Sequence, residues 1–249
     1  VLFRSCVFHP ADFTVLNASV RPGFLGRAFG VHTLGGNLGW ALAPISMLLL
    51  AEVVGWRGAL MGAAALGAAV WLMLWRYRHL LADDVSEEAA TGDGAGTGAL
   101  VLLQPAIVLC FTYFALLAAA LIALQNFLPA ILGALYETPR ALAGITLTVF
   151  LVGAAAGVLG GGFLADRATQ HSSIVAAGMA GSALLILSVA QIDYGTALLV
   201  AIVGGAGFLS GITTPSRDLL VRSATPPGAT GRVFGVVYSG LDVGSALAP

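Results

Sequence analysis

Long apolar runs separated by short polar stretches dominate the pattern of this chain. A helix needs roughly 20 mostly apolar residues to cross the hydrocarbon core of a bilayer. Seven runs of about that length occur, and they predict an all-α integral membrane protein with about seven transmembrane helices. The predicted spans are, in order, residues 28–51, 55–75, 100–124, 142–165, 174–192, 195–214 and 231–249.

One long polar stretch, residues 76–98, interrupts this pattern. It has acidic residues and glycines but no apolar periodicity, which is typical of a linker. The stretch divides the chain into a first part, 1–75, a linker, 76–99, and a second part, 100–249. Residues 1–20 are predicted to form the inner end of one further span and the loop after it.

The arginines predict the orientation of the spans. If the spans alternate in direction, eight arginines fall on one side of the membrane and two on the other. Loops rich in Lys and Arg stay in the cytoplasm. The bias therefore predicts that the linker is cytoplasmic and that the protein is a multi-pass protein of the cell's inner (plasma) membrane.

The composition agrees with lipid as the main solvent and excludes several functions. Hydrophobic residues make up 58% of the chain and charged residues only 9%, whereas a soluble domain has about 25% charged residues. The net charge of −1 gives no electrostatic reason to expect a nucleic-acid partner. No lysine is present, so a nucleotide-binding P-loop is excluded. We expect no cofactor, no metal and no enzymatic activity, because no paired cluster of ionisable residues falls within a span.

An internal repeat is the most informative feature. Residues 10–44 align without a gap onto residues 215–249, with 14 of 35 positions identical. The matches include PGFLGRAFGV with PGATGRVFGV, and the shared ending ALAP. Five spans lie between the copies, so the repeat unit is six spans, and both copies start on the predicted cytoplasmic side. Parallel six-span halves are one of the repeat architectures of secondary transporters.

The sequence GGFLADRATQ after the fourth span resembles a cytoplasmic loop signature of the major facilitator superfamily. The matching residues are Gly162, Leu164, Ala165, Asp166 and Arg167. The resemblance implies a gating role, with Asp166 near the N-terminus of span seven and close to Arg232. It also implies that the chain corresponds to helices 5–11 and the end of helix 4 of a twelve-helix protein truncated at both ends. Residues 7–44 are similar to efflux proteins of the fosmidomycin-resistance type.

Span seven presents two faces at helical spacing. One face carries Tyr238, Asp242, Ser245 and Pro249, and we predict that it lines a central cavity. The other carries Gly240 and Gly244 at small-xxx-small spacing, which favours close helix packing. The corresponding positions of span one are polar or bulky residues and two glycines. These residues are Thr33, Asn37, Trp40, Pro44, Gly35 and Gly39.

Asp242 is the main candidate for chemistry. An ionised carboxylate inside a span costs roughly 2.5–3.5 kcal/mol on insertion scales, so it needs a partner or water. Three interpretations remain open: a proton-coupling or substrate-binding carboxylate, a structural hydrogen bond to a neighbouring helix, and a position facing water inside the protein with no role in coupling. Asn37 is its neutral counterpart in the repeat.

Further candidates for the substrate or proton pathway lie on other spans. His32, in the first turns of span one, is either a proton carrier or a solvated helix-end residue. Gln125 and Asn126 precede Pro129, which indicates either a broken helix lining the substrate path or a simple kink. Tyr113 is a further cavity candidate. Arg217 and Asp218 are interpreted as gating or topology charges at the cytoplasmic rim of span six.

These features predict a secondary transporter that works by alternating access, with a small-molecule substrate, protons as coupling ion, and the lipid bilayer as surroundings. The spacing of Gly30, Gly39 and Pro44 resembles the helix 5 signature of antiporters in the same superfamily, which favours export. An importer of metabolites and a membrane sensor that moves no substrate remain alternatives.

Overall fold

The computed structural model describes residues 5–78, 101–226 and 229–248, and these form α-helices joined by short turns. The predicted all-α membrane fold is confirmed. Most of the predicted linker, and Pro249, lie outside the described residues. The helices are α1 Ser5–Ser19, α2 Leu25–Arg76, α3 Pro105–Tyr136, α4 Arg140–Arg167, α5 His171–Gln191, α6 Gly195–Ile212, α7 Thr214–Ala224 and α8 Thr230–Leu247, with a 3₁₀ turn at Pro22–Phe24.

Five stretches of the described residues are long and apolar enough to cross a membrane. They are Leu49–Arg76, Pro105–Tyr136, Leu142–Arg167, His171–Gln191 and Gly195–Ala224. These stretches correspond to predicted spans two to six. Predicted spans one and seven are also helical but less apolar, and α8 carries both Arg232 and Asp242 within its 18 residues.

Helix α2 covers the first two predicted spans, and a break divides it. Gly55 has φ 74° and ψ 165°, which is not a helical conformation. A positive φ with an extended ψ is open to glycine but strongly disfavoured for residues with a Cβ. The break therefore separates residues 25–54 from residues 56–76, at the point where the hydrophobic pattern predicted a new span.

Helices α4 and α6 pack very closely, and glycines on both helices make this possible. A Cβ atom built on Gly157 or Gly161 would lie 2.2 or 2.3 Å from a carbonyl oxygen of α6. A Cβ atom on Gly207 or Gly211 would lie 2.1 or 2.0 Å from a carbonyl oxygen of α4. The two backbones thus touch directly, as small residues allow in membrane helices.

We predict that Gly157→Ala destabilises the protein, because its new methyl group would overlap the carbonyl oxygen of Phe208. Overpacking of this kind costs roughly 1–3 kcal/mol, so the midpoint of thermal unfolding in detergent micelles should fall. Gly160→Ala is the matched control, because its Cβ would meet no atom closer than 3.8 Å. The control should be neutral or stabilising by up to about 1 kcal/mol, since Ala is the better helix former. Equal midpoints for both variants would contradict the predicted backbone contact.

Candidate functional site

A short polar helix, α7, lies among the apolar helices of the fold. It follows α6 directly and begins with Pro215 in its first turn, where the missing N–H of proline costs no hydrogen bond. It contacts α2, α4 and α5, as well as α3 and α8. Ser216 and Asp218 are 0% exposed although both side chains are polar.

The centre of the site is the ion pair between Arg217 and Asp218. The guanidinium Nε of Arg217 donates a hydrogen bond to Oδ1 of Asp218 at 3.0 Å. The side chain of Arg217 is 12% exposed and that of Asp218 is 0% exposed. The hydroxyl of Tyr238, on α8, donates a second hydrogen bond to the same oxygen at 2.9 Å. One carboxylate oxygen therefore accepts hydrogen bonds from two neighbouring groups.

Two buried polar atoms next to this ion pair lack a protein partner. Among the described residues, neither Oδ2 of Asp218 nor the hydroxyl of Ser216 makes a hydrogen bond. A buried carboxylate oxygen without a partner loses the stabilisation that water would provide. The site therefore has unused hydrogen-bonding capacity that could hold a water molecule.

Aromatic rings surround the ion pair and connect α1, α3 and α8. The guanidinium carbon of Arg217 lies 4.4 Å from the ring centroid of Phe114 on α3, a cation–π contact. The ring of Tyr238 lies 4.9 Å from Phe114 and 5.1 Å from Phe13 on α1. Phe13 also stacks on Phe234 of α8 at 4.8 Å. We call these four rings, Phe13, Phe114, Phe234 and Tyr238, the aromatic cluster.

The predicted polar face of α8 starts in this cluster and runs toward the surface. Tyr238 is 3% exposed, Asp242 is partly buried one turn further along, and Ser245 is exposed. The opposite face of α8 carries Gly240 and Gly244, where an added Cβ would lie 2.7 and 2.0 Å from carbonyl oxygens of α3. The two faces of α8 are therefore distinct in the structure.

The corresponding positions in α2 have different surroundings. Gly30 lies against α4, with the carbonyl oxygen of Val158 3.2 Å from its added Cβ, whereas Gly35 and Gly39 meet nothing within 4 Å. Asn37 is exposed. The side chain of Pro44 is outside the described part of the chain. The exposed Asn37 thus does not share the partly buried environment of its repeat counterpart, Asp242.

The remaining pathway candidates are spread over α2 and α3. The imidazole of His32 lies 3.7 Å from the carboxylate of Asp12 on α1. Tyr113 neighbours the cluster and lies within electrostatic range of the ion pair on α7. Gln125 is partly buried and Asn126 is exposed, on a helix that continues through Pro129 to Tyr136. The sequence left open a broken helix or a kink at Pro129, and the helical span in the structure excludes the broken helix.

The structure corrects the predicted partner of Asp166. The side chain of Asp166 does not sit at the N-terminus of α8 beside Arg232 but at the N-terminus of α2. Its Oδ1 accepts a hydrogen bond from the backbone N–H of Gly26 at 2.7 Å, and its Oδ2 pairs with the guanidinium of Arg27. The first N–H groups of a helix have no partner within the helix, and its positive end attracts a carboxylate. Arg27 is the repeat counterpart of Arg232, so the prediction placed Asp166 at the wrong copy of the repeat.

The other residues of the loop signature frame this contact. Gly162 approaches α2 closely, since its added Cβ would lie 3.1 Å from the carbonyl oxygen of Gly26. Leu164, Arg167 and Arg232 are exposed. The carboxylate of Asp166 therefore joins α2 to α4 at the end of the bundle where most arginines lie.

We predict that Asp166→Asn weakens the junction between α2 and α4. The variant removes a charge-assisted contact to the start of α2, and hydrogen bonds of this kind contribute about 1.5–3 kcal/mol. The thermal midpoint in micelles should fall accordingly. Arg167→Gln, which changes the exposed neighbouring residue, should leave the midpoint unchanged. A loss of equal size in both variants would argue against the specific role of Asp166.

Sequence reasoning missed the burial of Arg217 and Asp218. It placed both residues at a charged rim, because a polar stretch after a span usually faces water. The repeat held a signal, since Asp218 aligns with Phe13, an apolar residue at the equivalent position of the first copy. Alignment of a charged residue with a core phenylalanine indicates a buried environment for both.

Comparison with known proteins yields one family. The family model described as Major Facilitator Superfamily matches residues 3–249, nearly the whole chain. Neither the curated proteins nor the solved structures gave a match.

Proposed function

Since this chain belongs to the Major Facilitator Superfamily, a family of secondary transporters of small molecules, we propose that it exports small organic molecules across the inner (plasma) membrane in exchange for protons. Secondary transporters of this architecture move substrate by alternating access, with two halves rocking about a site near the middle of the bilayer. The first half would be residues 1–75, the linker 76–99, and the second half 100–249.

The carboxylate of Asp242 is the main observation in favour of proton coupling. It lies on α8 one turn beyond Tyr238, on the face that leads from the buried ion pair toward the exposed Ser245. Acidic residues within membrane spans are costly and typically mark proton or substrate pathways. A carboxylate at this position can take up a proton from one side and release it to the other when the halves rearrange.

The packing of the two proposed halves supports alternating access. The contacts of α1 and α2 with the second half involve α8, α4 and α7. On α2, Gly26 and Gly30 in its first turns pack against α4, whereas a Cβ atom added to Gly35 or Gly39 would meet nothing within 4 Å. These two contacts lie at the arginine-rich end, which the positive-inside rule assigns to the cytoplasm.

The direction of transport is inferred from the helix 5 signature, whose glycines are Gly30 and Gly39. An importer with the same fold is the alternative, and a sensor that moves no substrate is a second one. The transport experiment separates the three. Inverted vesicles containing the protein are energised with a proton gradient and offered a panel of radiolabelled drugs and metabolites. An exporter accumulates its substrate in these vesicles, an importer does so only in right-side-out vesicles, and a sensor does so in neither.

We predict that Asp242→Asn abolishes proton movement driven by substrate, because an amide cannot carry a proton through the cycle. The measurement uses a pH-sensitive dye inside proteoliposomes, with the substrate found in the vesicle panel. A reduction of at least tenfold in substrate-driven proton flux is expected, at unchanged protein content.

Asp193→Asn is the matched control for this prediction. Asp193 accepts a hydrogen bond from the backbone N–H of Gly195 in an exposed turn, so its removal should leave proton flux intact. Full coupling in Asp242→Asn would remove this residue from the mechanism, and absence of proton movement with every substrate would remove proton coupling altogether.

A further inference from the structure

The end of α2 carries a column of aromatic and cationic side chains. Trp71, Trp75 and Arg78 are separated by four and three residues, a spacing that places them on one face of a helix. The indole rings of Trp71 and Trp75 are stacked, with centroids 6.5 Å apart and planes 13° from parallel. The guanidinium carbon of Arg78 lies 5.8 Å from the ring of Trp75, a cation–π contact. We call these three side chains the Trp–Arg column.

A second arginine adds positive charge beside this column. The guanidinium carbon of Arg76 lies 5.7 Å from the ring centroid of Tyr77, the residue that caps α2. The C-terminus of a helix carries a partial negative charge of about half an elementary charge, so the full charges of Arg76 and Arg78 outweigh it. The end of α2 is therefore positively charged and lined by aromatic rings.

No other described residue neutralises or covers this end of α2. Within the described ranges, neither Arg76 nor Arg78 forms an ion pair with an acidic side chain. Every residue from 60 to 78 is exposed, and Trp71 and Trp75 are 63% and 57% exposed. The two arginines thus have full charges that are available to a ligand from outside this part of the chain.

The length of the second part of α2 places the column at the membrane surface. Trp56, which follows the break at Gly55, and Trp75 lie roughly 29 Å apart at the helical rise of about 1.5 Å per residue. This distance matches the thickness of the hydrocarbon core, and tryptophan favours its two boundaries. Arg76 and Arg78 then lie at the level of the lipid phosphates, on the side that the arginine bias assigns to the cytoplasm.

We propose that the end of α2 binds an anionic phospholipid of the cytoplasmic leaflet. The phosphate pairs with the guanidinium groups of Arg76 and Arg78, whose paired N–H donors match phosphate oxygens. The acyl chains lie along the exposed rings of Trp71 and Trp75. A lipid with net negative charge satisfies the arginines better than a zwitterionic lipid, whose own cationic group competes for the phosphate. This inference depends neither on the direction of transport nor on the substrate or coupling ion.

Tryptophan fluorescence in liposomes tests the proposal, because the column contains its own reporters. Trp40→Phe with Trp56→Phe leaves Trp71 and Trp75 as the remaining two of the chain's four tryptophans. The protein is placed in dibrominated phosphatidylcholine, which quenches tryptophans that it touches. Part of that lipid is then replaced by unbrominated phosphatidylglycerol or by unbrominated phosphatidylcholine, and the recovery of fluorescence gives the relative binding constant of the two lipids.

We predict a relative binding constant of at least threefold in favour of phosphatidylglycerol at low salt. It should fall toward one in 1 M salt, where the Debye length is only about 3 Å. Arg76→Gln with Arg78→Gln should bring it to within 1.5-fold of one. Arg76→Lys with Arg78→Lys should keep at least half of the preference, because both charges stay. Arg21→Gln with Arg222→Gln removes two exposed arginines from other helices and is the matched control, which should keep the parental value.

Three outcomes would overturn the proposal. Absence of quenching by the brominated lipid would show that protein covers the column. Equal recovery with both lipids would show that the arginines do not select an anionic headgroup, and the acidic residues that follow in the sequence, from Asp83 on, would then be their expected partners. A loss of equal size in the control variant would assign the preference to the general surface charge. None of these measurements involves transport, so they stand apart from the tests of the proposed function.

Discussion

The placement of a pair of opposite charges inside an apolar bundle is the constraint on which this structure depends. Arg217 and Asp218 are neighbours in the chain, and both side chains are nearly or fully buried. Removal of one partner from such a pair costs about 3–5 kcal/mol, while removal of both is often neutral. Each charge is therefore tolerated in the apolar bundle only while the other lies next to it. The side chains of Phe114 and Tyr238 contact the pair and bring α3 and α8 to α7.

The same pair links the chemistry of the site to the architecture. Tyr238 lies on the polar face of α8. Its hydroxyl donates a hydrogen bond to Asp218, and its ring contacts Phe13 of α1. A second carboxylate, Asp166, joins α2 to α4 at the same end of the molecule. Asp166, at the junction of α2 with α4, and Asp218, next to the contact of α1 with α8, are each bonded to an arginine. Their strength depends on charge and on access of water, the two quantities that change when a transporter exposes one side and then the other.

Much of the fold could be predicted from the sequence, because membrane spans are set by length and apolarity and these are visible residue by residue. The break at Gly55 and the close packing glycines of α8 also follow from local chemistry. The partner of Asp166 and the burial of Asp218 do not, since both depend on which helices become neighbours. The repeat predicts that two helix starts are equivalent, but it cannot say which of them receives the carboxylate. For Asp218, local polarity indicated a rim, and tertiary packing placed the residue in the core.

The glycine contact between α4 and α6 has a mechanical consequence. Side chains that pack at an interface can adopt new rotamers and let two helices slide, but at Gly157, Gly161, Gly207 and Gly211 main chain meets main chain. The two helices are therefore expected to move together as one rigid unit. Relative movement of helices during transport would then occur at interfaces where side chains separate the backbones.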